Sequence, residues 1–199
     1  MAEIKYEVLT SLSQGYVVAR IIDENGNKTN HAVVLDKNGN RQKQIKNKAV
    51  AENLIMVNAD DKGFSVAPFK NGVAIITYQE QEKQREIAIT RSGYVLSSEA
   101  RGVAERIYTD PESLMKIDIE NASLTMPEDM KGLFDVAQHR FEVEASKLQA
   151  DLNAGKIDKN TYKQGFDILT STTQKVANNI KSRLMGAMES GKESSVKGV

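Results

Sequence analysis

The apolar residues of this chain change their spacing near Leu96, and no other feature limits the fold so much. Upstream they come in short, β-branched runs: Tyr16–Ile22, Ala32–Leu35, Leu54–Val57, Val73–Tyr78, Ile87–Thr90 and Tyr94–Leu96. Asn38-Gly39, Asp61-Lys62-Gly63, Asn71-Gly72 and Arg91-Ser92-Gly93 stand between them. Such residues tolerate the positive φ of tight reversals, so the pattern predicts antiparallel strands joined by hairpins. Downstream, apolar residues recur every three or four positions, which is helical spacing.

One turn is written twice. Asp23-Glu24-Asn25-Gly26-Asn27 returns thirteen residues later as Asp36-Lys37-Asn38-Gly39-Asn40. An EF-hand calcium loop needs Gly sixth and an acid twelfth. Counted from each Asp, Gly is fourth and the twelfth residue is Val34 or Asn47. The spacing excludes that loop. Asn-Gly instead predicts type I′ hairpin turns, with the Asp accepting a local backbone hydrogen bond. A looser echo runs from Gly15 to Gly39 and from Gly72 to Gly93: Gly, strand, polar stretch, strand, turn.

Ser97 or Ser98 can cap a helix carrying Ala100, Val103, Ala104 and Ile107, and the stretch to Thr125 reads as a connector. Thr125-Met126-Pro127-Glu128-Asp129 then places a cap, a first-turn Pro and two acids where a helix N-terminus favours them. Met130, Leu133, Phe134, Ala137, Phe141, Ala145, Leu148 and Leu152 form a stripe that ends at Gly155. Asp158 or Asn160 caps a second helix striped by Tyr162, Phe166, Leu169, Thr173, Val176, Ile180 and Leu184. Two helices of about 25 residues, each roughly 38 Å long, joined by a short link, predict an antiparallel hairpin. Glu189 to Val199 reads as a polar tail that frays.

The charge balance narrows function. Lys and Arg total 27 and Asp and Glu total 27 in 199 residues. The halves balance too: 15 cations against 14 acids in residues 1–110, and 12 against 13 in residues 111–199. No global field draws the chain to nucleic acid or an anionic membrane. The absence of Cys removes disulfides, thiolate metal sites and Cys nucleophiles, and fits a reducing compartment. MAEIKYEVLTSLSQG has no apolar core of the signal-peptide kind, and no run approaches a membrane span. The expected location is the cytoplasm or the inside of an assembled particle. The glycosylation triplets at Asn27 and Asn121 are read as chance matches.

Candidate chemistry is thin. Asp135, His139 and Glu142 share one helix face, but a metal site needs ligands from other helices, and the row flanks the stripe where charge meets solvent. His31 reads as a surface hairpin residue. Adjacent acids at Asp60-Asp61 and Glu80-Gln81-Glu82 read as solvated turns, not a separated acid/base pair. There is no nucleophile elbow, phosphate loop or dinucleotide fingerprint. Arg41, Lys43, Lys46 and Lys48 form a basic run without aromatic residues to stack bases, which reads as a solvated loop or a protected edge strand.

The expected fold is α+β: a β-rich N-terminal unit (1–96) of antiparallel hairpins and meanders, a helical connector (97–125), a C-terminal antiparallel helical hairpin (126–188) and a polar tail (189–199). The narrow stripes leave the hairpin to dock on the β unit or on another chain. The expected function is therefore non-catalytic: a structural or interaction component of a larger assembly, a virion or another multi-subunit machine, with no metal and no cofactor. Association with a protein partner or a second copy would use Phe134, Phe141, Leu148, Tyr162, Phe166, Leu169, Val176, Ile180 and Leu184. The alternative is a ligand-binding β module for carbohydrate or peptide with a helical oligomerisation tail. It would use the hairpins Thr29–Asn38 and Lys62–Asn71, with Tyr16, Phe64, Phe69, Tyr78 and Tyr94 as contacts.

Overall fold

The computed structural model describes residues 4–46, 49–61, 63–113 and 127–196, with the backbone alone for Lys46, Pro127 and residues 183–196. The expected α+β fold is what it shows: antiparallel β structure first, then two long helices in a hairpin. The chain divides into two compact units, Met1–Ser97 and Ser98–Val199.

The first unit holds two four-stranded antiparallel sheets and a two-stranded ribbon. Sheet one comprises β1 (Lys5–Val8), β2 (Tyr16–Ile22), β3 (Lys28–Asp36) and β6 (Ile55–Met56), in that order. The ribbon pairs β4 (Lys43–Lys46) with β5 (Ala49–Glu52). Sheet two runs β10 (Val95–Leu96), β9 (Lys83–Thr90), β8 (Val73–Glu80), β7 (Phe64–Val66). Their inner faces make one core: Val18, Ala32, Val34, Ile55 and Val57 from the first half, Phe64, Phe69, Ala74, Ile76 and Ile89 from the second. Each fully buried Val, Ile or Phe contributes about 1.5–3 kcal/mol. The other face of sheet one is apolar as well, with Ala19, Val33 and Leu35 buried beside Tyr6, Val17 and Ile21.

The twice-written turn is a hairpin turn, but not of type I′. Gly26 and Gly39 take positive φ, and Asn25 and Asn38 do not. Gly26 N–H donates to the Asp23 carbonyl, and Asp23 N–H to that of Asn27; Asp36, Gly39 and Asn40 repeat the pattern. This is a type I turn closed by a left-handed Gly, the three-residue hairpin loop. Each Asp Oδ1 accepts two backbone N–H groups, from Asn25 and Asn27 or from Asn38 and Asn40. Thr90–Tyr94 uses the same frame, with the Thr90 hydroxyl accepting the Tyr94 N–H. Type I′ geometry occurs instead at Gln14-Gly15, Asn71-Gly72 and Gln81-Glu82, where both central residues have positive φ. The echo between the halves is one of turns. Tyr16 pairs Asp36 as Val73 pairs Thr90, yet Val18 faces the core in one half and Ala74 and Ile76 in the other. Counted from Gly15 and Gly72, those positions have opposite parity, so the faces do not correspond.

The second unit contains α1 (Ser98–Thr109), α2 (Pro127–Asn153) and α3 (Lys159–Val196). α1 buries Ala100, Ala104 and Ile107 and packs against α2, whose Met130, Leu133 and Val136 are buried. Gly155, at φ +73°, ends α2, with Lys156 N–H returning to the Asp151 carbonyl. Asp158 caps α3 by accepting the Thr161 N–H at 2.7 Å. α3 continues through Val196, into the stretch read as a tail. The Thr125 cap, the Asn121 triplet and Lys48 lie outside the described residues.

Candidate interaction surface

Exposure alternates along residues 50–57. Ala51, Asn53, Ile55 and Val57 turn inward while Val50, Glu52, Leu54 and Met56 turn out. Alternation is what a strand imposes, but here both sets are apolar-rich. Val50 is 63% exposed, Leu54 47% and Met56 67%; Ile45, which pairs directly with Val50 across the ribbon, is 68% exposed. The four make an apolar stripe along the ribbon and β6. β6 takes β3 on one side only, so the stripe borders the edge of sheet one.

Interlocking polar groups hold the ribbon in place. Gln44 Nε2 donates to the Gly93 carbonyl at 2.8 Å, and the Tyr94 hydroxyl donates to the Ile45 carbonyl at 3.2 Å. Asn53 is fully buried, and neither its Nδ2 nor its Oδ1 has a hydrogen-bond partner. The chain kinks there, Leu54 N–H bonding the Glu52 carbonyl. Charge sits within the stripe, because Glu52 turns out between Val50 and Leu54. Lys43 pairs Glu52 in the ribbon register, and Arg41 Nη2 lies 3.4 Å from Glu52 Oε2. That approach makes an ion pair without hydrogen-bond alignment.

Much of the expected helical seam meets itself. Phe141 and Phe166 are edge to face at 5.8 Å, Tyr162 stacks on Phe166 at 6.1 Å, and Leu148 packs against Gly165. Leu169, Val176 and Ile180 are buried and Phe134 is half-buried; the Leu184 side chain lies outside the described residues. Of the nine large apolar side chains exposed among the described residues, eight belong to the β unit and one, Ile168, to the helices.

His139 departs from its reading as a solvated flank. It is 1% exposed, edge-on to Tyr108 at 6.5 Å, because α1 covers that side of α2. Asp135 is half-buried and Glu142 exposed, and no group of three His, Asp or Glu able to hold a metal occurs among the described residues. His31 lies in the second strand of the β2–β3 hairpin and is half-buried, not in a turn. Thr29–Asp36 is continuous strand, and His31 faces Met56 across the sheet. Phe64, Phe69 and Tyr94 are buried, and Tyr16 and Tyr78 pack against the core. A cleft of about 380 Å³ lies in the helical unit, where Asp110, Glu112 and Glu144 outnumber Arg140. Arg140 Nε donates to the Tyr108 carbonyl, and Glu144 pairs with Lys147. Asp36 and Asp158 titrate below the ordinary aspartate value, held down first by the backbone N–H groups of Asn40 and Thr161. Both shifts belong to turn and cap chemistry. No helix among the described residues is long and apolar enough to cross a membrane.

No family model matches the chain, and neither a curated protein nor a solved structure resembles it.

Proposed function

We propose that this chain is a non-catalytic interaction protein, a component of a larger protein assembly, docking through the apolar stripe of the ribbon and β6. One observation carries the reading: Ile45 and Val50 on the ribbon and Leu54 and Met56 at β6, the edge strand of sheet one, all stand exposed. Exposed apolar residues gathered on one segment mark interaction sites better than scattered single ones do, and the exposed Glu52 and Lys43 between the two pairs add charge to this face. Association through the C-terminal helices has less support, since their aromatic residues meet one another and only Ile168 stands out among the described side chains. A carbohydrate- or peptide-binding β module has less support too, since its aromatic contacts pack in the core.

Size exclusion with mass detection on the full chain, alone and with copurifying proteins, tests this. Leu54→Lys with Met56→Asp is expected to abolish association and leave the circular dichroism spectrum unchanged. Ile168→Asp is expected to change nothing. Loss of association in Ile168→Asp alone would return the docking surface to the helices.

A further inference from the structure

We infer that the partner taken by this face is an extended protein segment that alternates apolar residues with carboxylates. The inference rests on the docking reading above and adds the chemistry of the occupant. Two independent features lead to it.

The first is the edge. Residues 53–59 read Asn-Leu-Ile-Met-Val-Asn-Ala, with no charge and no Pro. Charge and Pro, two of the devices by which exposed edges resist pairing, are absent there, and the shortness of β6, Ile55–Met56, limits the edge to a few main-chain groups. An added strand gains affinity from main-chain bonds to such an edge, and specificity from side chains on every second residue. Those side chains meet Leu54 and Met56, which project at that spacing.

The second is the charge beside it. One carboxylate, Glu52, stands beside two cations: it pairs with Arg41 and lies opposite Lys43 in the ribbon register. The Arg41 side chain is 14% exposed and that of Glu52 is 72% exposed. Arg41 Nε and Nη2 are buried without a hydrogen-bond partner. Buried, they lie out of reach of an arriving strand, and Glu52 is the acid they face. Donors left so are costly, and an exposed acid at 3.4 Å offsets little of the cost. A carboxylate on the incoming strand meets the exposed Lys43 and balances the second cation, leaving Glu52 to Arg41. A basic strand sets like charges together. Single-stranded nucleic acid offers phosphates, but its bases find no aromatic platform among Ile45, Val50, Leu54 and Met56.

Fluorescence anisotropy on the full chain tests this with three labelled probes: an alternating Val/Glu heptapeptide, its Val/Lys counterpart, and a short single-stranded DNA. The Val/Glu peptide is expected to bind at least about tenfold tighter than the Val/Lys peptide. Arg41→Gln and Lys43→Gln are each expected to shrink that preference, and Met56→Asp to remove binding. Lys43 is exposed, so its variant keeps the test alive if Arg41→Gln fails to fold. Equal binding of the two peptides, tighter binding of Val/Lys or DNA, or a preference unchanged in both Gln variants overturns the inference. So does binding of neither peptide. If full-chain association still responds to Met56→Asp in that case, the docking reading stands and its occupant is a second copy of this chain.

Discussion

A Cβ added to Gly93 would stand 2.8 Å from the Cβ of Asn53. The loop after β9 therefore presses on the kink between β5 and β6. Gly93 also holds φ at +84°, where a side chain is strained in any surroundings. Gly93→Ala is expected to destabilise the chain by about 2–3 kcal/mol, read as a lower urea midpoint with an unchanged m-value.

Asn53 itself gives the opposite expectation. A buried amide with both polar atoms unbonded costs about 1–3 kcal/mol per group, while the truncated side chain is small. Asn53→Ala is expected to be neutral or stabilising. A loss above about 1 kcal/mol in a urea melt would mean that the amide is bonded.

The β8–β9 turn places Gln81 and Glu82 at φ +50° and +64°. Glu80 pairs Lys83 around them, so the reversal has two residues. Neither side chain favours that region, whereas Asn-Gly does. Gln81→Asn with Glu82→Gly is expected to add about 1 kcal/mol of stability, visible as a raised thermal midpoint.

Acid should weaken the turn at Asp36 and the cap at Asp158. Both folded-state values lie below the ordinary 3.8. Their contribution is complete above that value and is lost as pH falls through the folded one. Asp36→Asn and Asp158→Asn variants are expected to lose less stability between pH 5 and pH 2 than the parent chain, measured by thermal melts at each pH.

Within the helical unit, His139→Ala is expected to cost about 2–4 kcal/mol by opening a cavity against Tyr108. Bound metal, measured by elemental analysis, is expected to be the same in parent and variant.

The sequence showed the fold in outline because each period is imposed by backbone geometry. Three- and four-residue spacing from Met130 to Ile180 suits only a helix, and the Gly155 break with the Asp158 cap placed its turn. Turn type was harder to read. Asn-Gly suggests type I′, but Asp23 and Asp36 reach their own backbone two and four residues on, and that bond selects the type I frame. The ribbon was half legible: Arg41–Lys48, with Ile45 its only apolar residue, reads as a solvated loop or a protected edge strand, and nothing in it names β5 as the partner. The stripe was hidden for another reason. Residues 50–57 are apolar-rich in both parities, so alternation cannot say which set is buried. His139 was misplaced because a helical stripe shows how residues group, not how many neighbours cover the helix.

Gly72 N–H bonds Gln14 Oε1, and the Ser13 hydroxyl bonds the Phe69 carbonyl. These two corners act as a clasp between the sheets, closed by residues far apart along the chain. Neither half can loosen there without releasing the other. A protease probing this domain should meet one cooperative target, intact or wholly open, with no surviving half.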